Sequence, residues 1–182
     1  MEIVLIRIDH FRDRAAYLRT LRSWLQQTEI ANGRLISQGT LLLLFLVAPS
    51  ASQVDALLSR YQMDPIDTNA RNEPCIDRFI DVIGRKQVDG CACRGFTELN
   101  LLTPKLVQEL LVDQWEAESA WIQKVMVNTR TESYLRWKDE AKKSRKQRRK
   151  RTAQDRYTHR KQARTTSSTD ISQVEPEGMT QA

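Results

Sequence analysis

The chain has 182 residues, 40% of them hydrophobic and 29% charged, with 29 lysines and arginines against 23 acids for a formal net charge of +6. That length suits one domain with an appendage or two small domains, and the apolar share can build a core, which excludes a wholly disordered chain. Six glycines and five prolines exclude collagen-like repeats, and three cysteines are too few for a disulfide framework; their odd number points to a reducing compartment.

Ile3, Val4, Leu5, Ile6 and Ile8 make Glu2–Asp9 a mostly buried strand. A helix is predicted from about Arg12 to Thr28, because Tyr17, Leu18, Leu21, Trp24 and Leu25 recur at three- and four-residue steps. Arg12, Arg19 and Arg22 fall on its outer face, a candidate secondary contact for nucleic acid or an acidic partner. Asn32-Gly33 then reads as a left-handed helix cap. Strands follow at Arg34–Gln38 and Leu41–Val47, joined by a Gly39-Thr40 turn; the second is continuously apolar, as a central strand is. Ser52 with Asp55 suggests a capping box for a second helix carrying Val54, Leu57, Leu58 and Tyr61. A short strand is expected at Ile66–Asn69. This order is that of a ferredoxin-like βαββαβ antiparallel sheet with helices on one face, an α+β fold.

Pro74 is expected to open a further helix, with Ile76, Phe79, Ile80 and Ile83 at helical spacing and Gly84 as its end. Phe96–Leu102 reads as a fifth strand. Thr103-Pro104 caps and starts a helical region whose apolar face is Val107, Leu110, Leu111, Trp121, Ile122 and Val125, with a kink near Asp113. Thr129 with Glu132 marks one more helix start. These additional C-terminal helices are expected to cover the second face of the sheet.

Charge separates the chain into two objects. Residues 1–130 hold 15 basic and 16 acidic residues, a net −1. Between Arg136 and Arg164 there are 14 basic residues against Asp139, Glu140 and Asp155, a net +11. Its densest part is the eight cations Lys142, Lys143, Arg145, Lys146, Arg148, Arg149, Lys150 and Arg151. Such a run reads as a nuclear localisation signal or a nucleic-acid arm. It lacks interleaved aromatics, so its binding is expected to be directed at phosphates. The division expected is a domain at 1–127, a basic, partly helical extension at 128–164 and a disordered tail at 165–182.

The other motifs read as structural. Asp9 and His10 are neighbours in a strand, where adjacent side chains point to opposite faces, so they are not expected to form a working pair. Cys91-Ala-Cys93 and Cys75 lack the ligand number and spacing of a zinc site. No Gly-rich phosphate loop occurs. The reading is therefore no enzyme, no metal and no cofactor. The longest apolar run, Leu41 to Ala48, is far below the ~20 residues that span a bilayer, so no membrane association is expected.

One string is more specific than its secondary structure requires: Leu5, Asp9-His10-Phe11-Arg12, Tyr17, Trp24, Gly33-Arg34-Leu35 and then the run Leu41–Leu46. It resembles the family of C-terminal domains found in RWD domain-containing protein 3 and in the spliceosomal small nuclear ribonucleoprotein pre-mRNA-processing factor 3. FTELNLLTPKLVQELL is similar to the family's closing strand and helix, and the resemblance covers roughly residues 1–127. It makes Asp9, His10, Tyr17, Trp24 and Gly33 motif residues. It implies a non-catalytic nuclear interaction module, with the cytoplasm as a second location, that binds RNA or ribonucleoprotein and a protein partner; the basic run adds nuclear import machinery as a further partner. The alternative it implies is a protein-only adaptor in SUMO or ubiquitin-like conjugation, although the RWD domain itself has no counterpart in these residues.

Overall fold

The structure is a computed structural model and describes residues 1–69, 71–127 and 130–169, with side chains through Thr158. The chain divides into two units, residues 1–136 and the chain from Trp137 onward.

The first unit is built on strands β1 (Glu2–Ile8), β2 (Asn32–Gln38) and β3 (Leu41–Ala48), with helices α1 (Arg14–Gln27) and α2 (Ala51–Met63). A two-residue ribbon follows, β4 (Asp67–Thr68) with β5 (Pro74–Cys75), then β6 (Ile80–Gln87) and β7 (Phe96–Asn100). The main sheet is ordered β6-β1-β3-β2-β7. Its first four strands are mutually antiparallel, and β7 joins the β2 edge in parallel. This is the ferredoxin-like α+β arrangement with an added edge strand.

The expected strand at Ile66–Asn69 shrinks to β4, which pairs with β5 outside the main sheet. The fourth strand of the ferredoxin-like sheet is β6, where the sequence pattern had called for a helix from Pro74 to Ile83. Four-residue apolar spacing is compatible with both periods here, because β6 carries a bulge. Leu5 pairs with Gly84 and Ile6 with Val82, so Ile83 is the extra residue and turns into the core. The β-branched Ile80, Val82 and Ile83 suit the strand, and pairing with β1 overrides the helical spacing.

Gly84 therefore ends no helix. A Cβ there would sit 2.0 Å from Cε2 of Trp121, so glycine is what lets the indole lie against the sheet. Asn32 and Gly33 belong to β2 and not to a cap. The left-handed residue after α1 is Glu29, with φ of 57°, and Thr28 closes the helix by donating from its N–H and hydroxyl to Trp24 O. Helix α2 is capped two residues earlier than expected: Ser50 N–H donates to Gln53 Oε1 at 2.8 Å. Asp55 instead faces Arg85, at 2.6 Å.

Alternation sends the strand residues into two cores. Val4, Ile6, Leu44 and Leu46 pack under α1 and α2 with Tyr17, Trp24, Leu57 and Tyr61. Ile3, Leu5, Leu43 and Phe45 pack under a second helical layer with Val107, Leu111, Trp115 and Trp121. That layer is α3 (Pro104–Gln108), capped by Thr103 with Pro104 in its first turn, then a π-helical turn at Glu109–Gln114, then α4 (Ser119–Val127). The irregular turn accounts for the kink foreseen near Asp113, and Glu116, with φ of 59°, completes the break. The second face of the sheet is thus covered.

Helix α5 runs from Glu132 to Thr169. Thr129, expected to start it, lies outside the described residues; Thr131 Oγ1 accepts from Tyr134 N–H at 3.2 Å. Backbone helix extends over residues 165–169, where disorder had been expected, and the rest of that segment, 170–182, lies outside the described residues.

Candidate nucleic-acid interface

Two carboxylates of the folded unit hold the start of α5. Asp9 follows the last residue of β1 and is buried. It accepts from Arg130 Nη1 at 2.8 Å and from Thr131 N–H at 3.2 Å. Asp81, on β6, accepts from Glu132 N–H at 2.8 Å, from the Ser133 hydroxyl at 3.0 Å and from buried Arg7 Nη2 at 2.6 Å. Burial pushes the Asp81 carboxyl up, and these donors outweigh it and hold it below the usual carboxylate range. Acidic groups at a helix N-terminus also meet the positive end of its dipole. Around this anchor, Phe79 and Tyr134 pack edge to face at 5.6 Å, and Arg130 lies 4.8 Å above the Tyr134 ring.

His10 belongs to the same cluster. Its Nδ1 is 3.1 Å from Asp9 Oδ2, so the two side chains do meet. The alternation rule does not apply to them, because β1 ends at Ile8. The imidazole is half exposed and stacks against Phe79 at 6.4 Å. With Asp9 already accepting from Arg130 and Thr131, this is an anchoring arrangement.

The eight cations from Lys142 to Arg151 follow on α5, all exposed. Among the described residues none of them makes an ion pair. The folded unit behaves differently. Arg22 and Arg14 both reach Glu98 on β7, at 3.1 and 2.7 Å. Arg85 pairs with Glu2 and Asp55. Of the three outer-face arginines proposed as a secondary contact, Arg22 is therefore engaged within the fold. Arg12 lies two residues before α1 and so not on its outer face; its N–H donates to Asp67 Oδ2 at 2.8 Å. Arg19 is exposed and makes no ion pair among the described residues.

The remaining motif residues lie inside. Tyr17 and Trp24 are buried in the α1–α2 core. Gly33 is pressed against β3, with Leu46 Cδ2 and Phe45 O both 2.7 Å from where a Cβ would be. A polar network that sequence reasoning missed joins Tyr17 to Asp77 and Tyr61: Tyr17 O–H donates to Asp77 Oδ2 at 2.9 Å and lies 3.4 Å from Tyr61 OH. Burial pushes all three groups up, and at Asp77 the hydrogen bonds donated by Phe79 N–H and Tyr17 oppose the rise. Asp77 was hidden by the helix expected across residues 74–83.

Cys91 and Cys93 are buried free thiols and Cys75 is a half-buried one; burial raises the Cys93 pKa. Among the described residues no group of three or more His, Cys, Asp or Glu is placed to hold a metal ion, and no helix is long and apolar enough to cross a membrane.

No family model matches the chain, and no curated protein matches it. Among solved structures it is similar to a bacterial light-regulated adenylyl cyclase, at 16% identity and a TM-score of 0.40, over 62% of this chain and 33% of that one. It is also similar to HypF of T. kodakarensis, at 13% identity and a TM-score of 0.38, over 61% of this chain and 14% of that one. The chain thus spans a minor part of both proteins.

Proposed function

We propose that the protein is a non-catalytic nuclear module that binds RNA or ribonucleoprotein through the basic segment Lys142–Arg151. The observation that carries this reading is the contrast in cation pairing: six arginines of the folded unit, Arg7, Arg14, Arg22, Arg60, Arg85 and Arg130, reach carboxylates, while none of the eight exposed cations of α5 does so among the described residues. Unpaired cations at this density repel one another; the charges of a polyphosphate relieve that repulsion, and the counterions it releases favour binding further.

The covered sheet supports placing the interface on α5. RNA-binding sheets of this general fold expose aromatic residues for base stacking. Here Phe45 on β3 stacks on Trp115 at 5.1 Å and is buried. The folded unit is left with a positioning role and the docking of a protein partner. The same cationic run suits recognition by nuclear import machinery.

The test replaces the eight cations with glutamine and follows binding of a fluorescent RNA by anisotropy. The expected result is loss of binding with an unchanged melting temperature. Retained RNA binding would reject the arm. Affinity for a ubiquitin-like conjugating enzyme that survives the substitutions, with no RNA binding in the parent chain, would favour the adaptor role instead.

A further inference from the structure

We infer that the basic arm takes single-stranded RNA along one face of α5, with a base stacked on Tyr157. This rests on the reading of Lys142–Arg151 as a nucleic-acid arm and adds to it a strand preference and an aromatic contact.

The first observation is one-sidedness. Lys142, Arg145, Lys146, Arg149, Lys150 and Ala153 line one continuous strip of surface. Their spacing is i, i+3, i+4, i+7, i+8 and i+11, one face of a helix with 3.6 residues per turn. Lys143 flanks the strip, and Arg156 and Tyr157 prolong it. At about 100° per residue, the cations of this face fall within an arc of about 160°. Among the eight cations only Arg148 and Arg151 lie off it. The opposite face carries those two arginines among Ser144, Gln147, Gln154, Asp155 and Thr158, all exposed.

A helix lying in a duplex groove has phosphates on both walls, which rewards cations on both of its flanks. The major groove of duplex RNA is also too deep and narrow for side chains to read. A single strand follows one track of charge, and α5 gathers six of the eight cations into one track. Lys142 and Tyr157 are about 22 Å apart along the axis at 1.5 Å per residue, with cations recurring about every turn between Lys142 and Lys150.

The second observation is Tyr157 itself. It is the one aromatic on this face beyond the dense run, and its side chain is 69% exposed. Among the described residues it has no ring, ion or hydrogen-bond partner. Ala153, one turn earlier on the same strip, is small and leaves the approach to the ring open. Tracks of cations that end on an aromatic are how proteins hold unpaired strands, since each base offers a π-face.

The test compares the full chain with Tyr157→Ala and Tyr157→Phe against three probes: an unstructured RNA oligonucleotide, the same strand annealed to its complement, and inorganic polyphosphate. Circular dichroism checks that helix content is kept. The expected result is tighter binding of the single strand than of the duplex. Tyr157→Ala should weaken the single strand about tenfold, in the range of one lost stacking contact. Tyr157→Phe should stay near the parent, and polyphosphate binding should not change. An unchanged single-strand affinity in Tyr157→Ala, or a duplex bound as tightly as the single strand, would overturn the inference. Failure of the arm itself reads differently: glutamine at the eight cations would then leave RNA binding intact, and both readings would fall together.

Discussion

The folded unit and the basic segment of α5 treat charge in opposite ways. In the folded unit, six arginines are consumed by the architecture: among them, Arg7 is buried against Asp81, Arg85 bridges β6 to Glu2 and Asp55, and Arg130 ties the start of α5 to Asp9. In the basic segment, eight cations share ten positions, all exposed, without an ion pair among the described residues. The first pattern stabilises a particular fold. The second stabilises nothing within its own helix, since like charges one turn apart repel. Stability and ligand binding should therefore be separable by substitution.

The largest expected effect is on stability. Trp121 covers the second face of the sheet at 6% exposure, and Trp121→Ala should cost about 4 kcal/mol in chemical denaturation. Gly84→Ala should cost about 2 kcal/mol through overpacking against the same indole, and much less in the Trp121→Ala background. Additive costs would show that the close approach of sheet and indole is not what glycine serves.

Next comes Asp81→Asn, which takes a carboxylate from beside the buried Arg7 guanidinium and from the first turn of α5; a loss of about 3 kcal/mol is expected. Its pH dependence has a definite sign. The folded-state pKa is lowered, so the stabilisation is fully present above the unfolded value, about 3.9, and fades as pH falls through the folded value. Acid denaturation curves of parent and variant should converge in that window. A difference that persists below it would assign the effect to packing and not to charge.

Those effects concern residues that the sequence made hardest to read. The α1–α2 half was legible: the periodic stripe of Tyr17, Leu18, Leu21, Trp24 and Leu25 is the buried face of α1, and the run from Leu41 is the central β3. Local signals sufficed because each element there has one unambiguous period. The stretch from Pro74 to Gly84 had two, and only its pairing with β1 decides for the strand. That error hid Asp77 and Asp81, which are positioned by β6 and the turn before it. Asp9 was assigned to strand geometry that ends one residue earlier. The basic run needed no fold to be seen, but its one-sided placement, with Tyr157 on the strip, emerges only once the segment is helical over its whole described length.

A smaller effect is expected at Glu98. Its pairs with Arg14 and Arg22 are exposed, so Glu98→Gln should cost at most about 1 kcal/mol and free both arginines. If that variant gained RNA affinity, the outer face of α1 would join the interface; unchanged affinity leaves it to α5. Smallest of all is the stability change from glutamine at the eight cations, expected within about 0.5 kcal/mol.

The most direct measurement is the salt dependence of RNA binding by that eight-glutamine chain beside its parent. For the parent, the logarithm of the affinity should fall with the logarithm of salt concentration, with a slope of about 0.7 for each phosphate neutralised on a single strand. The glutamine chain should show a nearly flat line and the parent's melting temperature. Equal slopes for the two chains would contradict the assignment of binding to the basic segment and return the search to the folded unit.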